Sequence, residues 1–554
     1  MLQEMTTFRY HYRENILMTK LPSMKKISYL FLMAYTAFAP SAHATTSQFV
    51  ARMYTEALGR APDESGWTAG AVSKPQSGAG CQNLDFLSLA NNFYSSQEYN
   101  GLGYNSTEKV LTLYRGLLNR EPDSLAAVRY WAQLLDSGTP MQTVVANLVG
   151  TGEFAALKNQ ICSATANASD PTYRWGTAPA ITIDGTLTAD ALQSKLNAAA
   201  TSSVKTVVLS PRTIIYADRK ITVPAGVTLT TAGVTSRQQY ARMARIVRTA
   251  HFGAGSARRG DQSLVYLENG AKVNFIWVSG QRDATVNGLT LPYNLLSANL
   301  FLNGGTGTSV ISSRVDSGAG NTNIAIDGLE EGAPCQSVAI SDNLITGYAN
   351  THYPVGGSGK YSDGITAACE RTTITGNQIV DASDVAIILF RSGPVAQAST
   401  VANNLIISAG VSAFSAMAYE PYIEPGNQTT ASYNFIGSSF TNNRFWTSGD
   451  SHFDIGIAAG TRAWGEKNLG YGGNITNNSN KGIASIMQIG IGIDGMYTAV
   501  GGNQLAYVRQ ANGLCSTKAA VVVNPDSSRA TPGSIASDTP YSFGTLDNCQ
   551  MGNH

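Results

Sequence analysis

Val338-Ala339-Ile340-Ser341-Asp342-Asn343-Leu344-Ile345 is a phrase that the chain repeats. It returns as Thr373-Ile374-Thr375-Gly376-Asn377-Gln378-Ile379 and as Thr400-Val401-Ala402-Asn403-Asn404-Leu405-Ile406. Phe440-Thr441-Asn442-Asn443-Arg444-Phe445 and Ile475-Thr476-Asn477-Asn478 continue it. The key asparagines stand 34, 27, 39 and 35 residues apart. Those intervals fit the turns of a solenoid, with rungs of about 22 to 25 residues plus loops of variable length. An Asn at one corner of each rung can hydrogen-bond to the rung above and tolerates left-handed φ at a tight bend. Small and branched residues alternating inward would fill a narrow prism.

Upstream of the repeats, Thr188 to Ala200 reads as one amphipathic helix with Leu192 and Leu196 on one face and Thr188 as its N-cap. Short β runs follow at Thr206–Leu209, Lys220–Val223 and Val227–Thr230, separated by Pro211, Pro224, Gly226 and Gly233. The whole stretch resembles the right-handed parallel β-helix of the pectate-lyase-like superfamily. The opening helix and Thr222-Val223-Pro224-Ala225-Gly226-Val227-Thr228-Leu229 are similar to that superfamily's N-terminal cap and first coils. A cap is physically required, because an open solenoid end is a sheet edge waiting to pair.

Residues 45–165 read differently. Tyr54, Leu58, Arg60, Pro62 and Asp63 recur as Tyr114, Leu118, Arg120, Pro122 and Asp123, each offset by 60, and Gln97-Glu98-Tyr99 is echoed by Gly152-Glu153-Phe154. Phe49, Val50, Met53, Tyr54, Ala57 and Leu58 have amphipathic helical spacing, and Arg-x-Pro-Asp ends that helix in a turn. The duplication implies stacked helical units sharing a core. This segment resembles the bacterial domain of unknown function 4214, which implies no assigned chemistry. Its repeated Arg and Asp read as capping and bridging groups, and a role in binding a surface or protein partner is the alternative. The expected fold is therefore mainly β. A right-handed parallel β-helix over 181–515 follows a small all-α helical-repeat domain over 45–165 and a linker over 166–180, and precedes a C-terminal tail over 516–554 tied by a disulfide.

Composition agrees. The chain has 554 residues, with 38 Lys+Arg against 37 Asp+Glu and a net charge of +1. A neutral chain argues against a nucleic-acid binder driven by phosphate contacts. At 43% hydrophobic residues it is too apolar for disorder. No apolar run of about 18 to 20 residues is present, so no membrane span is expected. Met24-Lys25-Lys26, an apolar stretch from Ile27 to Pro40 and Ser41-Ala42-His43-Ala44 read as a bacterial signal peptide cleaved after Ala44, with translation starting at Met24. The expected location is secreted or periplasmic. The six cysteines form no Cys-x-x-Cys pair, and an even number in an exported chain reads as structural disulfides, most simply 81–162, 335–369 and 515–549.

Chemistry-bearing residues gather where the strands begin. Asp363 and Asp384 lie 21 residues apart, one turn, and are expected to stack on neighbouring rungs about 4.8 Å apart, with Asp454 two rungs further at roughly 10 Å. Carboxylates in one column repel, so one pKa rises or a cation binds. Glu370, Arg391, Glu420 and Arg462 are expected to form a second column at the other end of these strands. His352 and His452 fall beside the Asp column. The loop at 348–361, with Tyr353 and Lys360, and the loop at 418–436, with Tyr419, Tyr422 and Tyr433, read as binding loops in which aromatic rings stack on sugars.

Tyr361-Ser362-Asp363-Gly364-Ile365, with an acid 21 residues on, resembles the aspartate motifs of polygalacturonase-type hydrolases. That resemblance implies acid and base roles for Asp363 and Asp384. The pattern departs in Ser383-Asp384, in Ser451-His452-Phe453 where a Gly-His-Gly is absent, and in Arg462 as the nearest basic match. A lyase reading uses the same residues otherwise: Asp363, Asp384 and Asp454 would hold Ca²⁺ against a uronate carboxylate, and Arg391, Lys360 or His352 would remove the adjacent proton. Gly356-Gly357-Ser358-Gly359-Lys360 is not a phosphate loop, because Pro354 stands where Gly is needed and no strand–loop–helix setting surrounds it. The expectation is a carbohydrate-active protein with a polysaccharide as its partner, either a lyase or a glycoside hydrolase. The alternative is a non-catalytic glycan-binding or matrix protein.

Overall fold

The computed structural model describes residues 45–163, 185–250, 260–281, 285–286, 289–290, 297–327, 335–347, 362–391, 396–421, 433–460, 470–480, 483, 485–494, 496–505, 507–509, 521–523 and 541–543. Three sheets of parallel strands wind around one axis, making the right-handed parallel β-helix. One rung shows the path. Thr373–Thr375 lies in sheet 1, Gly376-Asn377 turns a corner, Gln378–Val380 lies in sheet 2, 381–384 turns again, and Val385–Arg391 lies in sheet 3. Among the described residues sheet 1 has ten strands and sheet 2 nine. Sheet 3 extends past 515 to take in Val521–Val523 and Tyr541–Phe543. The signal segment, the linker, and Cys515 and Cys549 lie outside the described residues.

Hydrophobic alternation fixes the register. Sheet 1 sends Ile340, Ile374, Val401, Phe440 and Ile475 inward in one aligned column. Sheet 2 contributes Ile345, Ile379, Ile406 and Phe445, and sheet 3 Ile365, Ile387, Met417, Ile457 and Ile491. All are at most 1% exposed, and each such side chain contributes about 1.5–3 kcal/mol by leaving water. The helix Ala189–Thr201 closes the N-terminal end as expected. Thr188 Oγ1 accepts from Ala191 N, and Leu192 and Leu196 are fully buried in the prism. The disulfides Cys81–Cys162 and Cys335–Cys369 are present.

The Asn corner divides its labour between two residues. Asn343, Asn377, Asn404, Asn443, Asn478 and Asn503 form a buried ladder. Each Nδ2 donates to the next Oδ1 at 2.9–3.0 Å, and each Oδ1 past the first also accepts the backbone N–H of the Asn below it. The left-handed φ belongs instead to the preceding residues Asp342, Gly376, Asn403, Asn442, Asn477 and Gly502. Adjacent asparagines therefore differ sharply. Asn443→Ala strands two buried donors of Asn404 and is expected to cost about 2–4 kcal/mol in urea unfolding. Asn442→Gly, at φ 55°, is expected to change stability by less than about 1 kcal/mol.

Among the described residues nine helices precede the β-helix: α1 (Thr46–Ala57), α2 (Glu64–Trp67) running into a π-turn at Thr68–Val72, α3 (Gly78–Gln82), α4 (Phe86–Tyr94), α5 (Gln97–Gly101), α6 (Ser106–Leu118), α7 (Leu125–Asp136), α8 (Met141–Val149) and α9 (Gly152–Ile161). The repeat is carried in three dimensions. Arg60 binds Glu98 and Asp63 beneath Tyr54, and Arg120 binds Glu153 and Asp123 beneath Tyr114. The repeated Arg, Asp and Glu thus bridge helices.

The helical domain is not tethered loosely. Its core is continuous with the outward face of sheet 2 and includes Tyr240, Trp277, Val380, Ile407 and Trp446. Trp67 Nε1 donates to Thr447 O at 2.9 Å, and Ala61 N to Gln378 Oε1 at 2.7 Å. At the centre, the Trp277 ring is ringed by the guanidiniums of Arg115, Arg245 and Arg314 at 4.6–4.7 Å. Glu56, Glu121 and Asp316 neutralise those three cations.

Candidate active site

Sheet 3 and the turn that leads into it from sheet 2 carry the candidate carboxyls. Asp363 opens the strand Asp363–Ala367, and Asp384 immediately precedes Val385–Arg391 on the next rung. The expected column is offset by one residue. Ile365 pairs with Ile387, so Asp363 faces Val385 and Asp384 faces Ser362. The offset has a visible cause, since Asp363 Oδ1 accepts Val385 N at 3.1 Å and locks this register. Thr366 Oγ1 donates to Asp363 Oδ2 at 2.8 Å.

Asp384 has a different environment. It is 7% exposed, and its Oδ1 is buried with no hydrogen-bond partner. Burial first, and then the Asp363 carboxyl, push its pKa well above the carboxylate range. The two aspartates are thus chemically unlike: Asp363 is an acceptor with both oxygens engaged, and burial of Asp384 favours its protonated form.

Asp454 belongs to a second cluster. The register carries Asp384 to Phe414 and Phe414 to Asp454, so the fully buried Phe414 ring stands between the two acids. Asp454 Oδ1 accepts Gln488 Nε2 at 2.7 Å and faces His452 Nε2 at 3.4 Å. His452 Nδ1 in turn meets Ser412 Oγ at 2.8 Å. Asp454 Oδ2 is buried and unpartnered. Ser412, Gln488 and Thr366 carried no signal in the sequence, because small hydroxyl residues and one Gln near strand ends are common throughout the solenoid.

Of the second expected column the described residues show only part, and these are out of register with one another. Glu420 pairs across from Phe390, whereas Arg391 pairs with Pro421, and Glu370 bridges to Gln336 beyond its strand. The expected loop at 418–436 is also shorter, since strands run to Pro421 and resume at Tyr433. Tyr419 is correspondingly no sugar platform. Fully buried, it stacks on Phe440 at 4.0 Å inside the prism and donates to Asn474 O. His352, Tyr353, Lys360, Tyr422 and Arg462 lie outside the described residues, as do the side chains of Arg391 and Tyr433.

The aspartates do not fit a calcium site. Ca²⁺ takes about six to eight oxygen ligands. Among the described residues no three His, Cys, Asp or Glu side chains gather, both oxygens of Asp363 are engaged by donors, and Phe414 separates Asp384 from Asp454.

The turn that presents Asp384 is itself clamped. Asp381 Oδ1 accepts the backbone N–H groups of Ala409, Gly410 and Val411 at 2.6, 3.2 and 3.3 Å. Those residues wrap the carboxylate, and the strand begins at Ala413. Burial pushes the Asp381 pKa to about 6 despite these donors. A carboxyl raised in the fold stabilises it below the unfolded value and loses that contribution as pH rises through the folded one. Raising the pH from about 4 to 7 is therefore expected to cost about 3 kcal/mol through Asp381. Asp381→Asn should flatten that part of the stability–pH curve, measured by urea unfolding.

Residues 90–158 match the family described as domain of unknown function DUF4214. No curated protein matches the chain. Among solved structures, an alginate lyase from a Paenibacillus species is similar at 13% identity and TM-score 0.36, over 59% of this chain and 98% of its own. The endo-xylogalacturonan hydrolase of Aspergillus tubingensis is similar at 12% identity and TM-score 0.36, over 64% and 94%. The DFA-IIIase of Arthrobacter chlorophenolicus is similar at 11% identity and TM-score 0.36, over 64% and 96%. Among the described residues no helix is long and apolar enough to cross a membrane.

Proposed function

We propose that this is an exported carbohydrate-active enzyme that hydrolyses a glycosidic bond of an extracellular polysaccharide, with Asp384 as proton donor and Asp363 as its carboxylate partner. One observation carries the reading. Two aspartates on adjacent rungs have environments that drive them apart, one hydrogen-bonded at both oxygens and one with a buried, unpartnered oxygen whose pKa burial raises. Glycoside hydrolysis calls for that division between an acid that protonates the leaving oxygen and a second carboxylate. Sheet 3 supports a linear substrate, because its rungs repeat about every 4.8 Å along one straight face. The two disulfides support an oxidising, extracytoplasmic location.

The protein should be incubated with a panel of acidic and neutral bacterial and plant polysaccharides, following reducing ends and ultraviolet absorbance together. New reducing ends without absorbance support hydrolysis. Reducing ends accompanied by the absorbance of an unsaturated product would replace hydrolysis with elimination. Polymer bound without new ends across the panel would make the protein a glycan-binding one.

A further inference from the structure

The two copies of the helical repeat share a frame but not a filling. In the second copy, α7 starts after the Ser124 cap, and its seventh residue is Trp131. The Trp131 indole Nε1 donates to Tyr114 Oη at 3.3 Å and packs against the domain core. In the first copy, α2 starts after the Asp63 cap, and the seventh residue of that run is Gly70. Trp67, the tryptophan of the first copy, is turned the other way, fully buried with Nε1 on Thr447 O.

The space that Trp131 takes in one copy is open in the other. A groove of about 560 Å³ lies there, with Tyr54, Phe93, Leu89, Gly66 and Gly70 among its walls. That volume falls in the range of small-ligand pockets. The surrounding frame is the same in both copies, with Arg60 4.9 Å from the Tyr54 ring centre and Arg120 5.1 Å from that of Tyr114. The hydroxyls differ. Tyr114 Oη accepts an indole N–H, while Tyr54 Oη has no hydrogen-bond partner among the described residues. Gly66 keeps the Tyr54 hydroxyl in place, since a Cβ there would sit 1.7 Å from Oη. The molecule thus carries a template for what fits this groove: an indole donating to a tyrosine hydroxyl.

We propose that the groove of the first repeat is a docking pocket for a tryptophan side chain carried by a partner polypeptide. An apolar floor of Leu89 and Phe93 inside an exposed polar rim of Asp85, Ser88 and Asn92 is the anatomy of an anchor pocket, and tryptophan is among the residues most enriched as anchors. The rim supplies groups for the backbone flanking the anchor. Trp67 and Ala61, which hydrogen-bond to the sheet 2 side, do not line the groove, and the β-helix part meets its lining where Gln238 Nε2 donates to Leu58 O and Glu98 Oε1.

The test is ligand-observed saturation-transfer NMR on the full chain, using the blocked tripeptide Ac-Gly-Trp-Gly-NH2. Ac-Gly-Ala-Gly-NH2 and a neutral hexasaccharide serve as comparison probes. Indole protons are expected to saturate with the wild type and not with Gly70→Trp, which supplies the indole from within. A Cβ at Gly70 meets Val50 Cγ1 at 3.1 Å and Cγ2 at 3.8 Å, so Val50 must shift slightly and the melting temperature of that variant is measured alongside. Tyr54→Phe is expected to weaken the tripeptide by about fivefold, the worth of one hydrogen bond, and it carries the test should Gly70→Trp fail to fold. Absence of indole saturation, equal saturation with Gly70→Trp, or equal affinity with Tyr54→Phe would overturn the proposal. So would hexasaccharide saturation that Gly70→Trp removes while the tripeptide stays silent, which would make the groove a glycan site.

Discussion

Arg314→Ala is expected to cost about 3–5 kcal/mol and to loosen the helical domain from the β-helix, because it breaks a buried charge cluster from one side only. Arg314 is 4% exposed. Its guanidinium binds both oxygens of Glu56 on α1, at 2.5 and 3.1 Å, and Asp316 at 3.1 Å, and it lies 4.3 Å from the centre of the Tyr240 ring. Burial works against its charge, yet Glu56 and Asp316 outweigh burial and raise its pKa further. The neighbouring acid has no such margin. Burial already raises the Asp316 pKa, and Arg314 is the largest influence opposing that. Removing the guanidinium therefore leaves two buried acids short of a cation and takes away the largest influence holding the Asp316 pKa down. Urea unfolding should show the loss, and hydrogen exchange should rise in α1 before it rises in the β-helix core. Arg314→Met combined with Glu56→Gln should recover much of the stability, because a neutral, well-packed substitute avoids desolvating charge. A cost below about 1 kcal/mol for Arg314→Ala would mean that apolar contact alone, through Trp277 and Trp446, holds the two parts together.

That interface is also where sequence reasoning reached its limit. The β-helix was legible because Asn recurs at one corner of successive rungs from Asn343 onward, and the physical need for that Asn is local. The N-terminal cap was legible because Thr188, Leu192 and Leu196 stand at helical spacing. Docking leaves no comparable trace. Trp277 and Trp446 sit in β runs that bury both faces, and such a run does not say whether its outward face meets water, a loop or another domain. Arg314 reads as one more exposed charge until Glu56, 258 residues away, is placed beside it. The candidate site was legible at the level of residue type and rung. Spacing predicted Asp363 and Asp384 on neighbouring turns, but the one-residue offset depends on Asp363 taking the Val385 N–H, which no periodicity encodes. Tyr419 illustrates the converse error. An aromatic near an expected loop end read as a surface platform, but the strand continues through it and its ring faces the prism.

Asp384→Asn is expected to lower the rate of polysaccharide cleavage by about 10²–10⁴-fold, the usual worth of a positioned general acid, while leaving thermal stability nearly unchanged. An amide keeps the shape and neutrality of the protonated acid but cannot give up a proton. The sign of the pH dependence follows from the raised pKa. Asp384 serves while protonated, so activity should hold through the range where ordinary carboxylates have ionised and fall on the alkaline side as Asp384 loses its proton. Stability should move the same way. A carboxyl whose pKa is raised by folding stabilises the protein at low pH and loses that contribution as pH climbs through the folded value. The Asn variant should therefore equal or exceed the wild type in melting temperature at alkaline pH. Asp363→Asn supplies the cross-check. Asp363 is the second cause of the Asp384 shift, after burial, so removing its charge should move the alkaline limb of any residual activity to lower pH by part of the full shift. If both substitutions leave cleavage intact, the acid and base lie elsewhere, and the Ser412–His452–Asp454–Gln488 cluster becomes the next group to substitute. If either one unfolds the protein, the pair is holding the turn rather than handling protons.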